Sequence, residues 1–285
     1  MQHFQFYSAK SLSDALGFLA EKGDRTRTLA GGTDLIPALR EEISRPGFVL
    51  NILEIEGLNG VREENHGLRI GSTTPHAQLA ESDLLKKYCS SLVQAAGSIG
   101  GPLIRNRGTI GGNIANASPA ADLASTLLSL DAEAVLMSQR GTRVVALRDF
   151  FLGPGKTDLR PDELMTEIAI PFPRGKGVFL KLGRRQAMTL SVVNVAVSLE
   201  MEKGRCREAK IALGSVAPTP IRCPGAERML LNQEMDEELV AGCAQEAMAA
   251  SRPVDDQRAK AWYRIQAGTV LVRRALAQAA GLGEV

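Results

Sequence analysis

The 285-residue sequence predicts a mixed α/β protein of α+β class in two parts: a larger N-terminal domain, then a smaller C-terminal domain of antiparallel sheet plus helices. Three observations predict it. The first third alternates short apolar runs with helical patterns, as in βαβ units. A Pro/Gly-rich stretch, PFPRGKG at 171–177, then interrupts the chain. Beyond it, apolar residues alternate with small or polar ones over longer runs, the texture of antiparallel strands. The length suggests about two domains. We place them at 1–173, with subdomains of about 1–56 and 57–173, and at 174–285.

The elements follow in order. SLSDALGFLAEKG (11–23) sets Leu12, Ala15, Leu16 and Leu19 at helical spacing, with Ser11 or Ser13 as N-cap and Gly23 as the stop. RTLA (27–30) is a short strand running into GGTD, a helix follows from Leu35 to Glu42, and GFVLNI (47–52) is the next strand. GLRIGSTT (67–74) is another strand, and His76 to Ile99 is mostly helical. After the helix LASTLLSL (123–130), AEAVLM (132–137) and TRVVAL (142–147) are paired strands. ELMTEIAIPFP (163–173) is a strand ended by prolines. VVNVAVSLE (192–200) puts Val193, Val195, Val197 and Leu199 on one face, and REAKIALGSVAP (207–218) pairs with it. Helices follow around ERMLLN (227–232) and DEELVAGCAQEAMAA (236–250). A last long helix carries Trp262, Ile265, Val272, Leu276 and Ala279 on one stripe.

Composition excludes several functions. The net charge is +2, and three Tyr with one Trp leave little for base stacking, so no nucleic acid is expected as a partner. No apolar run reaches transmembrane length, and MQHFQFYSAK lacks the apolar core of a signal peptide. The expected place is the cytoplasm, with no membrane partner. Cys89, Cys206, Cys223 and Cys243 form no CxxC pair, so reduced buried thiols and no metal site are expected. His66 and His76 lie outside every motif and are expected at the surface.

Two places share one design. LAGGTDL (29–35) and TIGGN (109–113) each set a Gly-Gly pair after an apolar residue and before a polar one. Glycine there reaches positive φ and has no Cβ to hold a ligand off the amides. Exposed N–H groups in such turns form an anion site. Two of them suit a diphosphate held from both sides, although an isolated Gly-Gly is usually only a turn. No GxGxxG occurs. GPGKT (153–157) ends like a Walker A loop, but Phe150 stands where the first glycine belongs, and the stretch reads as a turn. The residues alone point to a phosphate-bearing small ligand, a nucleotide before others.

AGGTDL together with IRNRGTIGGNIANASPAADL resembles the FAD-binding subunit of the molybdenum hydroxylases, the family of xanthine dehydrogenase and aerobic carbon monoxide dehydrogenase. LRDFFLGPGKTDLRPDEL, FLKLGRRQAMTLSVVNVAV, SVAPTPIRC and AWYRIQ are similar to it in the same order. The resemblance implies a two-part FAD-binding fold of the vanillyl-alcohol-oxidase-like (PCMH) type, closed by the C-terminal domain. It implies that Thr28, Leu29, Ala30, Gly31, Gly32, Thr33, Asp34 and Leu35 wrap the diphosphate and ribityl, with Thr109, Ile110, Gly111, Gly112 and Asn113 as the second loop. Ile99 matches a position packing on the cofactor. Asp122 matches the motif's closing acid, a partner for a ribityl or ribose hydroxyl, or else a helix N-cap. Met165, or Leu164 instead, matches a further contact. Lys181 matches a lysine near the flavin, at its N1 edge or on phosphate; with Arg184 and Arg185 it could equally be a solvated basic face.

The implied function is electron transfer. FAD, held non-covalently, would take electrons from an iron–sulfur subunit and pass them to NAD or another acceptor. A molybdopterin-binding subunit would oxidise the substrate, and GPGKT with VAPTPIRC favour the xanthine dehydrogenase branch and an N-heterocycle. No cysteine pattern here suits a cluster. Two other functions compete: a stand-alone FAD-dependent oxidase or reductase of the same superfamily, and a nucleotide-binding module without catalysis. A branched residue at Gly32 or Gly111 is expected to expel the flavin before it disturbs the fold.

Overall fold

A computed structural model describes residues 3–282. The chain opens with β1 (Gln5–Ser8), α1 (Leu12–Lys22), β2 (Thr26–Leu29), α2 (Leu35–Arg40) and β3 (Phe48–Asn51). The strands form a parallel sheet in the order β1-β3-β2. Of the two expected caps Ser11 is used: its hydroxyl accepts from the Asp14 amide. Ala15, Leu16 and Leu19 of α1 pack on Leu50 and Ile52. Gly23 does not stop the helix by a left-handed turn. Its φ is −52°, and a Cβ there would lie 2.3 Å from the Pro161 carbonyl oxygen. It is glycine because two backbones meet.

The middle of the chain holds β4 (Val61–Glu64), β5 (Gly67–Gly71), α3 (His76–Glu81), α4 (Asp83–Tyr88), α5 (Ser90–Ser98), α6 (Pro102–Arg105), α7 (Ile110–Ala115) and α8 (Asp122–Ser129). Then come the hairpin β6 (Glu133–Ser138) and β7 (Gly141–Ala146), α9 (Leu147–Phe150), a small hairpin of β8 (Phe151–Gly153) and β9 (Lys156–Thr157), and β10 (Leu164–Pro171). The main sheet is antiparallel, in the order β4-β5-β10-β6-β7. The expected helical run from 76 to 99 is broken into three, at the extended Ser82 and at Cys89. Ser82 caps α4 through its hydroxyl, which is why a serine interrupts an apolar pattern there.

Beyond residue 175 lie β11 (Lys176–Gly183), β12 (Ser191–Glu202), β13 (Arg205–Gly214), β14 (Ile221–Arg222), α10 (Pro224–Leu230), α11 (Glu237–Ala249) and α12 (Ala261–Ala280). The four strands pair antiparallel in chain order. Val193, Val195, Val197 and Leu199 meet the helices, as their alternation predicts. The opposite face is buried too, with Phe179, Ala196 and Ala212 in the core of the preceding domain. The stripe of α12 departs from expectation at its start. Trp262 is 61% exposed, and the buried face begins with Arg264 and Gly268 before reaching Leu271, Val272, Ala275, Leu276 and Ala279. The cause is polar: the Arg264 guanidinium donates to the Val192 and Ser215 carbonyls and to Asp256, which turns the first two turns of the helix inward on that residue.

No helix among the described residues is long and apolar enough to cross a membrane. The four cysteines are buried and unbonded, and no group of three or more His, Cys, Asp or Glu among the described residues could hold a metal ion.

Candidate cofactor-binding site

A cleft of about 1290 Å³ runs between the parallel sheet and the antiparallel one. Its floor is the first glycine loop. β2 ends at Leu29, and residues 30–34 turn the chain into α2. Gly32 sits at φ +76°, a conformation that glycine adopts at little cost. Gly31 is glycine for another reason: a Cβ would fall 1.8 Å from the Arg107 carbonyl oxygen, so the two glycine segments touch backbone to backbone. The amides of Gly31, Gly32, Thr33 and Asp34 have no acceptor among the described residues, and the loop that carries them lines the cleft. This half of the expected anion site is present.

The second loop is built differently. The Ile110 amide donates to the Thr74 carbonyl, Gly111 to the Ser72 carbonyl, Asn113 to the Thr109 carbonyl and Gly112 to the Thr109 hydroxyl. All four amides are spent inside the protein. The expectation of a diphosphate held by amides from both sides is therefore corrected in part: of the second loop's amides only that of Thr109 has no acceptor among the described residues, and beside it the loop offers side chains and a bare glycine surface. Gly111 packs against β5, where a Cβ would lie 2.6 Å from Ser72 Cβ, whereas at Gly112 only the Thr109 hydroxyl comes within 4 Å. On this wall the Asn113 Oδ1, Ser72 Oγ and His76 Nδ1 are buried without a partner. Each such atom costs about 1–3 kcal/mol while unpaired.

The remaining walls carry charge. Arg25, Arg27, Arg45, Lys156 and Arg160 line the cleft against Asp24, Asp34 and Glu163. Glu163 is already bound to Arg143. The GPGKT stretch is a turn, as expected; it joins β8 to β9 as a hairpin that brings Lys156 to the cleft. Leu164 and Met165 both line the cleft, their side chains entering separate cores on opposite sides of β10.

Of the positions singled out from sequence, the cleft brings together Thr28, Ala30, Gly31, Gly32, Thr33, Asp34, Leu35, Thr109, Gly111, Gly112, Asn113 and Met165. It does not include Leu29, Ile99, Ile110, Asp122 or Lys181. Ile110 is fully buried in the core. Asp122 is not an N-cap either; Ala121 holds that place and no side chain caps the helix. One Asp122 oxygen takes the Lys181 ammonium at 2.5 Å, and the other accepts from Ser191 at 2.5 Å and Asn194 at 3.2 Å. Burial pushes this carboxyl upward, and those three donors oppose it. Lys181 is thus no solvated basic face, whereas Arg184 and Arg185 are exposed. His76 overturns its expected surface position: it is 3% exposed, lines the cleft, and is lowered to about 4 by burial and then by Arg105. His66 is exposed as expected. Ser72, His76, Arg27 and Lys156 were not legible as cleft residues. The only signal was their place beside or between glycine turns.

Residues 2–173 match the family described as the FAD binding domain in molybdopterin dehydrogenase, and residues 178–279 match the CO dehydrogenase flavoprotein C-terminal domain. The chain belongs to this flavoprotein family. It is 35% identical to the glyceraldehyde dehydrogenase medium chain of Sulfolobus acidocaldarius, covering 97% of this chain and 98% of that one. It is 32% identical to the xanthine dehydrogenase FAD-binding subunit of Escherichia coli O157:H7, covering 96% and 95%. A reconstituted CO dehydrogenase from Oligotropha carboxidovorans contains a chain that superposes with a TM-score of 0.95 at 34% identity, with 98% of each chain covered. The chain is a subunit of an oxidoreductase, and its cofactor is FAD.

The cleft's residues fit that cofactor. Four unpaired amides and two basic side chains, Arg27 and Lys156, with no carboxylate partner among the described residues, suit a diphosphate. The unpaired atoms of Ser72 and Asn113 suit hydroxyls.

Proposed function

We propose that this chain is the electron-transfer subunit of a molybdenum hydroxylase, receiving electrons from iron–sulfur centres on one partner subunit while a molybdopterin-binding subunit oxidises the substrate. The observation that carries the reading is a cleft lined by free amides and basic side chains in a chain whose four cysteines are buried and join no group among the described residues that could hold a metal ion. The relatives' names, medium chain and FAD-binding subunit, support a multi-chain assembly. Flavin, when bound, accepts electrons singly and releases them as a pair.

In this reading residues 28–35 hold the diphosphate, with Thr109, Gly112 and Asn113 facing the cofactor across the cleft and Met165 beneath it. Ile99 stays with the cofactor as a packing contact, and Asp122 and Lys181 stay with it as the buried pair that seats the C-terminal sheet beside it. The domains divide at 173/174, with the first subdomain ending near residue 56. NAD or another carrier takes the electrons onward, in the cytoplasm. We keep an N-heterocycle as the substrate on the strength of GPGKT and VAPTPIRC. The identities to the named relatives, 32–35%, rank none of their substrates first.

A steady-state assay tests the reading. Pure chain loaded with FAD is mixed with hypoxanthine, xanthine or nicotinate, beside the native complex isolated from its source. The chain alone should accept electrons from NADH or an artificial donor at most, and substrate turnover should require the complex. Comparable turnover by the chain alone would establish the stand-alone oxidase instead.

A further inference from the structure

We propose that an exposed patch of Leu103, Met188 and Leu190 among Arg105, Arg184 and Arg185 is the docking surface for a small acidic electron-carrier protein, the acceptor that takes the electrons onward. The inference deepens the electron-transfer reading, on which it rests, by naming the class of the onward carrier.

Two observations carry it. The first is that exposed apolar side chains from both domains meet at one spot. Leu103 on α6 is 85% exposed, and Met188 and Leu190 stand exposed on the loop between β11 and β12. The Met188 side chain lies against Gly101, where a Cβ would come 3.3 Å from its Cγ, so this loop rests on the chain just before α6. Met188 holds a φ of +51°, which a residue with a side chain adopts at a cost, and the Arg185 guanidinium fixes that turn by donating to the Ala187 and Met188 carbonyls. The second observation is charge without counter-charge. Arg105 donates to the Ile99 and Gly100 carbonyls and Arg184 to the Gln257 carbonyl, and none of the three arginines has a carboxylate partner among the described residues. The acids beside Gln257 are already paired, Asp255 with Lys260 and Asp256 with Arg258 and Arg264.

The make-up of the patch selects its partner. None of the six residues lines the cleft, and small ligands are held in concave sites. A second copy of this chain would set arginine against arginine across a twofold axis. A permanent subunit interface is large and loses charge toward its centre. Here three apolar side chains stand among three unpaired cations, the composition of a small contact steered by charge. The partner is therefore acidic. It is an electron carrier because of the chain that the patch covers. The Arg105 guanidinium and the Lys181 ammonium hold the carbonyls of residues 98–100, and in the proposed seating Ile99 of that stretch packs on the cofactor. Two carriers, each taking one electron, reoxidise the cofactor, whose two protons pass to water.

Charge inversion in the whole complex tests the assignment. The complex is reduced with dithionite, freed of the excess, and mixed by stopped flow with an acidic cytochrome c, a basic cytochrome c, NAD or neutral benzoquinone. The acidic cytochrome should be reduced about tenfold faster than the basic one, an advantage that high salt removes. Arg184→Glu and, separately, Leu103→Glu should each slow the acidic cytochrome about 5- to 10-fold and leave benzoquinone unchanged. An acidic cytochrome no faster than the basic one overturns the proposal, as do unchanged rates in both variants. An equal loss with benzoquinone overturns it too, because the damage then lies at the cofactor. NAD reduction that both variants cut, with no advantage for the acidic cytochrome, assigns the patch to a dinucleotide instead. Release of another subunit from the Leu103→Glu complex on gel filtration makes the patch a permanent interface and refutes the carrier. A complex without iron–sulfur centres, or one whose flavin no acceptor reoxidises, would refute the electron-transfer reading itself.

Discussion

Alanine at Gly112 should separate cofactor binding from folding, and alanine at Gly111 should not. At Gly112 an added Cβ meets one atom within 4 Å, the Thr109 hydroxyl at 3.0 Å. Alanine gains about 0.5–1 kcal/mol over glycine in a helix interior, and crowding the Thr109 cap can cost about 1 kcal/mol. The two nearly cancel, so the apo protein should melt within about 4 °C of the unmodified chain. The new methyl stands on the cleft wall, and FAD affinity should fall by about tenfold or more, about 1.4 kcal/mol. At Gly111 the Cβ would lie 2.6 Å from Ser72 Cβ and 2.7 Å from the Ser72 carbonyl oxygen. Backbone cannot rotate away as a side chain does, so α7 must leave β5, at about 1–3 kcal/mol or more. Apo melting temperature and FAD titration by fluorescence, measured on both variants, give the comparison. Full FAD affinity in Gly112→Ala would refute the placement of the cofactor on this wall. An unshifted melting temperature in Gly111→Ala would refute the packing. The sequence alone expected Gly111 to hold the ligand; in the structure it lines the cleft and also packs closely on Ser72.

Two further outcomes follow from buried charge. His76 is neutral in the fold at about 4 and ordinarily titrates near 6.5, so the unfolded chain binds its proton first as pH falls. Stability should be full above pH 6.5 and decline to about pH 4, by about 3 kcal/mol in total. Urea midpoints at pH 7 and 4.5 should therefore differ more in the unmodified chain than in His76→Gln, and equal differences would exclude the buried neutral histidine. Lys181→Met strands the Asp122 carboxylate in the interior and should cost about 3–5 kcal/mol. Asp122→Asn added to it should recover part of the loss, and strictly additive losses would show that the pair is not coupled.

The parts of the fold set by local rules were legible. Alternation marked β12, a capping serine marked α1, and glycine pairs marked both loops. What the sequence hid came from long-range contacts. Nothing in HAQLAE says that His76 is covered by Gly108, since only the approach of the second loop buries it. The same holds for Trp262, which looks like core by type and spacing but yields its place to Arg264, because the Val192 and Ser215 carbonyls and the Asp256 carboxylate accept from the terminal nitrogens of that guanidinium. The symmetry of the two Gly-Gly motifs was apparent only. Identical residues leave their amides free in one loop and consume them in the other, and the difference lies in which strand end stands opposite.

Asp122 shows how a residue can bear on the cleft without lining it. Its carboxylate joins α8 of the flavin-binding part to Lys181 on β11 and to Ser191 and Asn194 on β12. Arg258 donates to the Ser191 carbonyl and pairs with Asp256, which also holds Arg264. One buried acid therefore ties the C-terminal sheet and, through these contacts, the start of α12 to the helix that follows the second glycine loop. A charge so placed is a poor source of stability compared with an apolar contact of the same size. It is a good source of registry, because only one seating of the sheet satisfies both oxygens. The closing acid of the glycine motif then serves the cleft by fixing where its neighbouring domain sits.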